Sequence, residues 1–177
     1  MDYRKAASYW MEKDAQGARM EREALLANIE KFIIAHNTCA MATGCGDFVR
    51  CTPIEYNFKG GIFWMLSEGG QKFRALEGNK NVCLSIYDAY TGLGQLGGMQ
   101  ITGIAELVEP WSGEYMDLLA LKKIPAEKLK KLPHTMHLIK ITPTSIDFLW
   151  SEFKKMGFGS RQHLCLSGDT CETADLL

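Results

Sequence analysis

Residues Ile62–Leu84 read Ile-Phe-Trp-Met-Leu-Ser-Glu-Gly-Gly-Gln-Lys-Phe-Arg-Ala-Leu-Glu-Gly-Asn-Lys-Asn-Val-Cys-Leu. An apolar strand ends at Ser67, breaks at Gly69-Gly70 and gives way to a short helix opening around Gln71-Lys72. Gly78-Asn79 stops that helix, and Val82 starts a new strand. A helix N-terminus offers unpaired N–H groups and the positive end of a dipole. Lys72, with Arg74, adds full positive charge, Ser67 adds a hydroxyl, and the glycines allow close backbone approach. As chemistry, the stretch reads as a small phosphate site at the end of a sheet or barrel strand.

Working outward, strand-like segments recur at short intervals: 39–43, 49–58, 62–67, 82–88, 99–108 and 137–150, the last broken at Pro143. Lys59-Gly60-Gly61 is a tight hairpin signal between the second and third. Short strands separated by glycine-rich turns favour an antiparallel barrel over a parallel sheet. Before them, Met20, Leu25, Ile29, Phe32 and Ile33 share one face of a helix over 19–36 whose role is packing. Residues 111–121 and 125–132 read as two short helices, the second led by Pro125. The glycine cluster Gly92, Gly94, Gly97 and Gly98 marks a loop. The organisation expected is one domain over 1–155, with an extended or poorly ordered tail over 156–177.

The chain has 177 residues, enough for one domain with a real core, and 46% of them are hydrophobic. A net charge of −1 gives no reason to expect nucleic acid or an anionic membrane as partner. The lysines Lys122, Lys123, Lys128, Lys130 and Lys131 read as a solvated face. The first residues lack a signal-peptide apolar run, and no stretch approaches the roughly 20 apolar residues of a spanning helix. A soluble, cytoplasmic protein is expected. Six cysteines form no Cys-x-x-Cys pair, which points to free, mostly buried thiols; Cys165 and Cys171 lie in a polar tail. No metal site is expected, since His134 and His137 have no nearby acidic or cysteine partners.

The strand, Ser67, Lys72, the helical turn ending at Asn79 and the following strand resemble the pyridoxamine 5′-phosphate oxidase-like, FMN-binding split-barrel family. Arg50-Cys51-Thr52-Pro53, the run Gln100–Glu106, and Lys140-Ile141-Thr142-Pro143 ahead of a strand ending in Trp150 follow in the family's order. The similarity spans residues 35–150. It implies a mainly β fold with flanking helices, a six-stranded antiparallel split β-barrel of Greek-key type. It also implies a homodimer with the cofactor in a groove between subunits. Carried onto this sequence, Arg50 and Lys72 are the phosphate ligands, with Thr52, Ser67 and Gln71 adding hydrogen bonds. Backbone groups of Pro53, Met65 and Leu66 would line the flavin ring, Gln100 (or Gly98) would meet the flavin, and Trp150 would stack near its edge. The cofactor implied is FMN, though such a phosphate site accepts FAD as well.

The function so implied is that of a flavin-dependent oxidoreductase acting on a small-molecule substrate, with no catalytic side chain singled out. Rival readings keep the barrel. It could hold haem, with His36, His134, His137 or His163 as axial candidates, or a deazaflavin, or bind flavin without catalysis. Arg161-Gln162-His163 matches the oxidase's Arg-x-His substrate clamp, but lies well past Trp150 in a glycine-rich segment. True pyridoxamine 5′-phosphate oxidation therefore ranks behind the general flavin reading.

Overall fold

The computed structural model describes residues 8–9, 12–14 and 16–167. Cys171 and the last ten residues of the expected tail, 168–177, lie outside that range. Eight strands form one antiparallel sheet: β1 (Thr38–Cys45), β2 (Phe48–Glu55), β3 (Asn57–Lys59), β4 (Ile62–Ser67), β5 (Asn81–Tyr87), β6 (Gly97–Val108), β7 (His137–Trp150) and β8 (Arg161–Cys165). Helices α1 (Arg22–Ile34), α2 (Lys72–Gly78), α3 (Gly113–Leu121), α4 (Ala126–Leu129) and α5 (Glu152–Lys155) accompany them.

The sheet runs β2-β1-β5-β6-β7-β4-β3, with β8 on the free flank of β7. Its two ends, β2 and β3, are one run of chain interrupted only by Tyr56, and this run curls the sheet into a split barrel. The corner is held by Tyr56, whose hydroxyl donates to Ile33 O at 2.6 Å and whose N–H donates to Asn37 O at 2.9 Å. Counting β2 and β3 as one strand recovers the six barrel strands of the sequence. The eighth element, β8, occupies the segment expected as tail. At the hairpin between β3 and β4, Gly60 and Gly61 both take positive φ (62° and 77°), the type I′ geometry that matches strand twist.

Period-two alternation decides which side chains enter the barrel. Met41, Phe63, Met65, Leu84, Ile86, Met99, Ile101, Ile141 and Phe148 point in and are buried. Each such burial is worth about 1.5–3 kcal/mol before entropy. Helix α1 closes one side through Leu25, Ile29, Phe32 and Ile33. A smaller core forms outside the barrel, where Tyr115, Leu118 and Leu119 of α3 pack with Leu138 and the outward faces of Trp64 and Leu66.

Strand β7 is not broken at Pro143. Its register with β6 shifts between Thr102 and Gly103, leaving Thr144 as the extra residue of a β-bulge. Proline, lacking an N–H, is tolerated beside such an irregularity. Gly103 is required there, since a Cβ would come within 2.8 Å of Thr142 O. The cysteines also depart from expectation. Of the five described, only Cys39 is buried; Cys83 and Cys165 are half-buried, and Cys45 and Cys51 are exposed. On a two-faced sheet, outward positions stay wet however apolar the run looks. No helix among the described residues is long and apolar enough to cross a membrane.

Candidate functional site

Strand β4 pairs with β3 only over Ile62–Trp64. Beyond that point β2 and β4 diverge, and a cleft of about 350 Å³ opens between them. Thr52, Pro53 and Ile54 of β2 form one wall, Leu66 and Ser67 of β4 the other. The floor is the turn Glu68–Gly69 with Lys72 from the start of α2, and Met136 closes the far side.

Lys72 is the chemical centre of this cleft. Its side chain is only 5% exposed, and its ammonium donates to Gly69 O, held over a turn in which Gly69 and Gly70 both take positive φ. No carboxylate pairs with it among the described residues. Burial pushes its pKa below the usual lysine value. Ser67 Oγ sits 3.2 Å from Gly69 O and 3.3 Å from Gly69 N, so its hydroxyl braces the same turn. The N–H groups of Phe73 and Arg74 donate to the carbonyls of Gly70 and Gln71. The pull of the site on an anion therefore rests on the Lys72 charge rather than on the end of this seven-residue helix.

The expected residues separate into three groups. Thr52, Pro53, Leu66, Ser67 and Lys72 meet in the cleft. Arg50 lies exposed two residues before Thr52, on the same side of β2, and is in register with Thr43, whose buried Oγ1 has no hydrogen-bond partner among the described residues. Gln71 is exposed at the start of α2 without a side-chain cap. Arg74 is engaged elsewhere, its guanidinium 4.6 Å from the Phe48 ring centroid. Met65 is fully buried in the barrel core, with its backbone in register with Ile139.

Gln100 and Trp150 do not join the cleft. Gln100 is exposed on the outward face of β6, between Ser85 and Asp147 in a cross-strand row that ends at His163. Trp150 ends β7, at the opposite end from His137, which pairs with Ser67. There it stacks on Phe148 (centroids 5.5 Å, planes 13° apart) and meets Phe153 edge-on at 5.4 Å. It borders a separate polar hollow with Asp88, Gln95 and Ser151.

Sequence reasoning missed Ile54, Glu68, Gly69 and Met136. Gly69 reads in the sequence as a strand break that lets backbone approach a ligand; in the structure its carbonyl instead holds Lys72. Met136 precedes β7 and carries no pattern that would mark it. Of the histidines, His36 contacts Phe32 O at 2.7 Å and Asp88 at 3.0 Å, and His163 contacts Asp147 at 2.9 Å. His134 and His137 are exposed. Among the described residues no group of three or more His, Cys, Asp or Glu side chains is arranged to hold a metal ion.

Comparison with known proteins gives a family match and a set of shared folds. Residues 25–150 match the family model described as pyridoxamine 5′-phosphate oxidase. No curated protein matches the sequence. Among solved structures, ChuZ from Campylobacter jejuni aligns with a TM-score of 0.63 at 14% identity, over 87% of this chain and 64% of that one. The haem storage protein HutZ from Vibrio cholerae aligns with a TM-score of 0.56 at 18% identity, over 70% and 91%. A FAD-binding protein from Mesorhizobium loti also gives 0.56, at 12% identity over 68% and 89%. At these identities what is shared is the fold.

Proposed function

Since this chain belongs to the pyridoxamine 5′-phosphate oxidase family, we propose that it binds FMN by its phosphate in the Lys72 cleft and acts as a flavin-dependent oxidoreductase on a small molecule. One observation carries the reading: a buried lysine whose ammonium donates to one backbone carbonyl and lies over the Phe73 ring, with no carboxylate paired to it among the described residues. An unpaired buried charge is costly, and an anion seated beside it offsets that cost. A dianionic phosphate fits, with Thr52 and Ser67 hydroxyls in the same cleft and the Arg50 guanidinium two residues away along β2. A flavin bound here supplies the electron-accepting ring; the chain supplies charge, hydrogen bonds, orientation and exclusion of water.

Gln100 and Trp150 lie away from the cleft of their own chain. That separation favours a homodimer in which one subunit holds the phosphate and its partner presents these two residues to the ring. The Arg-x-His pair is already engaged within the chain, Arg161 with Asp14 at 2.9 Å and His163 with Asp147 at 2.9 Å. A clamp so occupied favours a substrate other than pyridoxamine 5′-phosphate. Haem finds less support, because His36 and His163 are held by carboxylates and the His137 ring packs on Phe73 with centroids 4.7 Å apart.

The visible spectrum of the protein as purified tests the reading. Two broad flavin bands bleached by dithionite are expected, and the mass of the released cofactor distinguishes FMN from FAD. A sharp Soret band would replace flavin by haem. In the Arg50→Ala/Lys72→Ala variant, flavin affinity should drop about 100-fold or more, because two charge-assisted contacts are lost, while the circular dichroism spectrum stays that of the parent. Undiminished FMN retention would move the phosphate elsewhere.

A further inference from the structure

A second hollow, of about 280 Å³, lies outside the barrel between the β3–β4 hairpin and α3. Its walls are apolar. Ile62 and Trp64 face outward from β4, and Leu118 and Leu121 meet them from α3. At roughly 30 Å³ per water, the space equals about nine waters, the size of a small organic molecule.

The charges around it sort themselves. Glu114 is taken by Lys140 at 2.8 Å, and that ammonium also lies 5.5 Å from the Trp64 ring centroid. Lys122, just past α3, is taken by Glu55 at 2.8 Å. Two charges that line the hollow remain without an ion pair among the described residues: Asp117 on α3 and Lys59 on the hairpin. One is an anion and the other a cation, and both rim an apolar space.

We propose that this hollow binds a free α-amino acid with an aliphatic or aromatic side chain. The apolar walls take the side chain, Asp117 takes the α-ammonium, and Lys59, on its flexible stem, takes the α-carboxylate. A simple amine would satisfy Asp117 but be repelled by Lys59, and a simple carboxylate the reverse. The zwitterion is the ligand that answers both rim charges without leaving net charge behind. The site shares only β4 with the Lys72 cleft and stands whether or not that cleft holds a flavin.

The test is a titration of the full-length protein with L-phenylalanine, followed on the Trp64 indole N–H resonance, which a Trp64→Phe variant identifies. A saturable shift is expected. Asp117→Asn and Lys59→Gln should each weaken it about fivefold, as for a partly exposed charge contact. Both substitutions are on the surface, and the unchanged indole signals of the other tryptophans report that the fold is intact. Phenethylamine and 3-phenylpropanoate, each lacking one of the two charges, should bind more weakly by a similar factor. The proposal is overturned by the absence of a saturable shift, by equal binding of phenethylamine and L-phenylalanine, or by indifference to Asp117→Asn.

Discussion

The two ends of the barrel are built on opposite terms. At the Trp150 end nearly everything is answered. Phe148, Trp150, Phe153 and Phe32 interlock, His36 meets Asp88, and Gln162, only 1% exposed, makes three hydrogen bonds. Its Oε1 accepts from Met20 N, and its Nε2 donates to Ala18 O and Gly159 O. At the Lys72 end a charge is buried with one carbonyl and the Phe73 ring for company, and the two strands beside it, each paired on its other side, do not pair with each other. The contrast teaches where to look for function: stability is invested at one end, and an electrostatic deficit is left at the other.

Substitutions can break that comparison, beginning where the loss is largest. Trp150→Ala removes an aromatic from three ring contacts and should lower stability by about 3 kcal/mol in denaturant unfolding. Gln162→Ala strands the Met20 N–H and two carbonyls, and should cost about 2 kcal/mol in the same assay. Lys72→Met has the opposite sign. It removes the buried charge but keeps the stem's bulk, so the flavin-free protein should gain about 1 kcal/mol while losing flavin affinity. A loss of stability there would mean that the ammonium is better satisfied than its contacts indicate.

The gentlest probe is pH. Burial sets the Lys72 pKa below 10.5 in the free fold, and an anion bound beside it stabilises the charged form. Flavin affinity should therefore be complete below the lowered value and decline as pH rises through it. Over the same rise the flavin-free fold should gain stability, because the folded state gives up that proton more readily than the unfolded chain. Affinity flat from neutral pH up to 10.5 would show that Lys72 does not face the phosphate.

Much of the barrel was legible because its signals are local. Gly60-Gly61 demanded a hairpin, Gly78-Asn79 ended a helix, and alternation sorted β5 and β6 into faces. Strand β8 stayed hidden since its inward positions are Gln162 and Leu164, and a buried glutamine breaks the apolar alternation that marks a strand. The cleft was legible because Ser67 and Lys72 are close in sequence and Thr52 falls in the Arg50-Cys51-Thr52-Pro53 run that resembles the family's. Trp150 was assigned to the same site, yet periodicity says which face a residue takes and nothing about which end of the barrel it occupies. Long strands such as β7 carry residues far from one another, and only the register reveals how far.

Strand β7 carries a further consequence. It pairs with β6 along nearly its whole length, with β4 over His137–Ile141 and with β8 over Ser145–Leu149, the bulge at Thr144 marking the handover. Among the described residues no other strand has three neighbours, so β7 cannot separate without unzipping the sheet on both flanks. In native-state hydrogen exchange its amides should be the last to trade protons with solvent, opening only with the whole molecule. Those of β3, paired on one side over three residues, should exchange through local fraying, so that the mouth of the Lys72 cleft breathes while the barrel's spine stays shut.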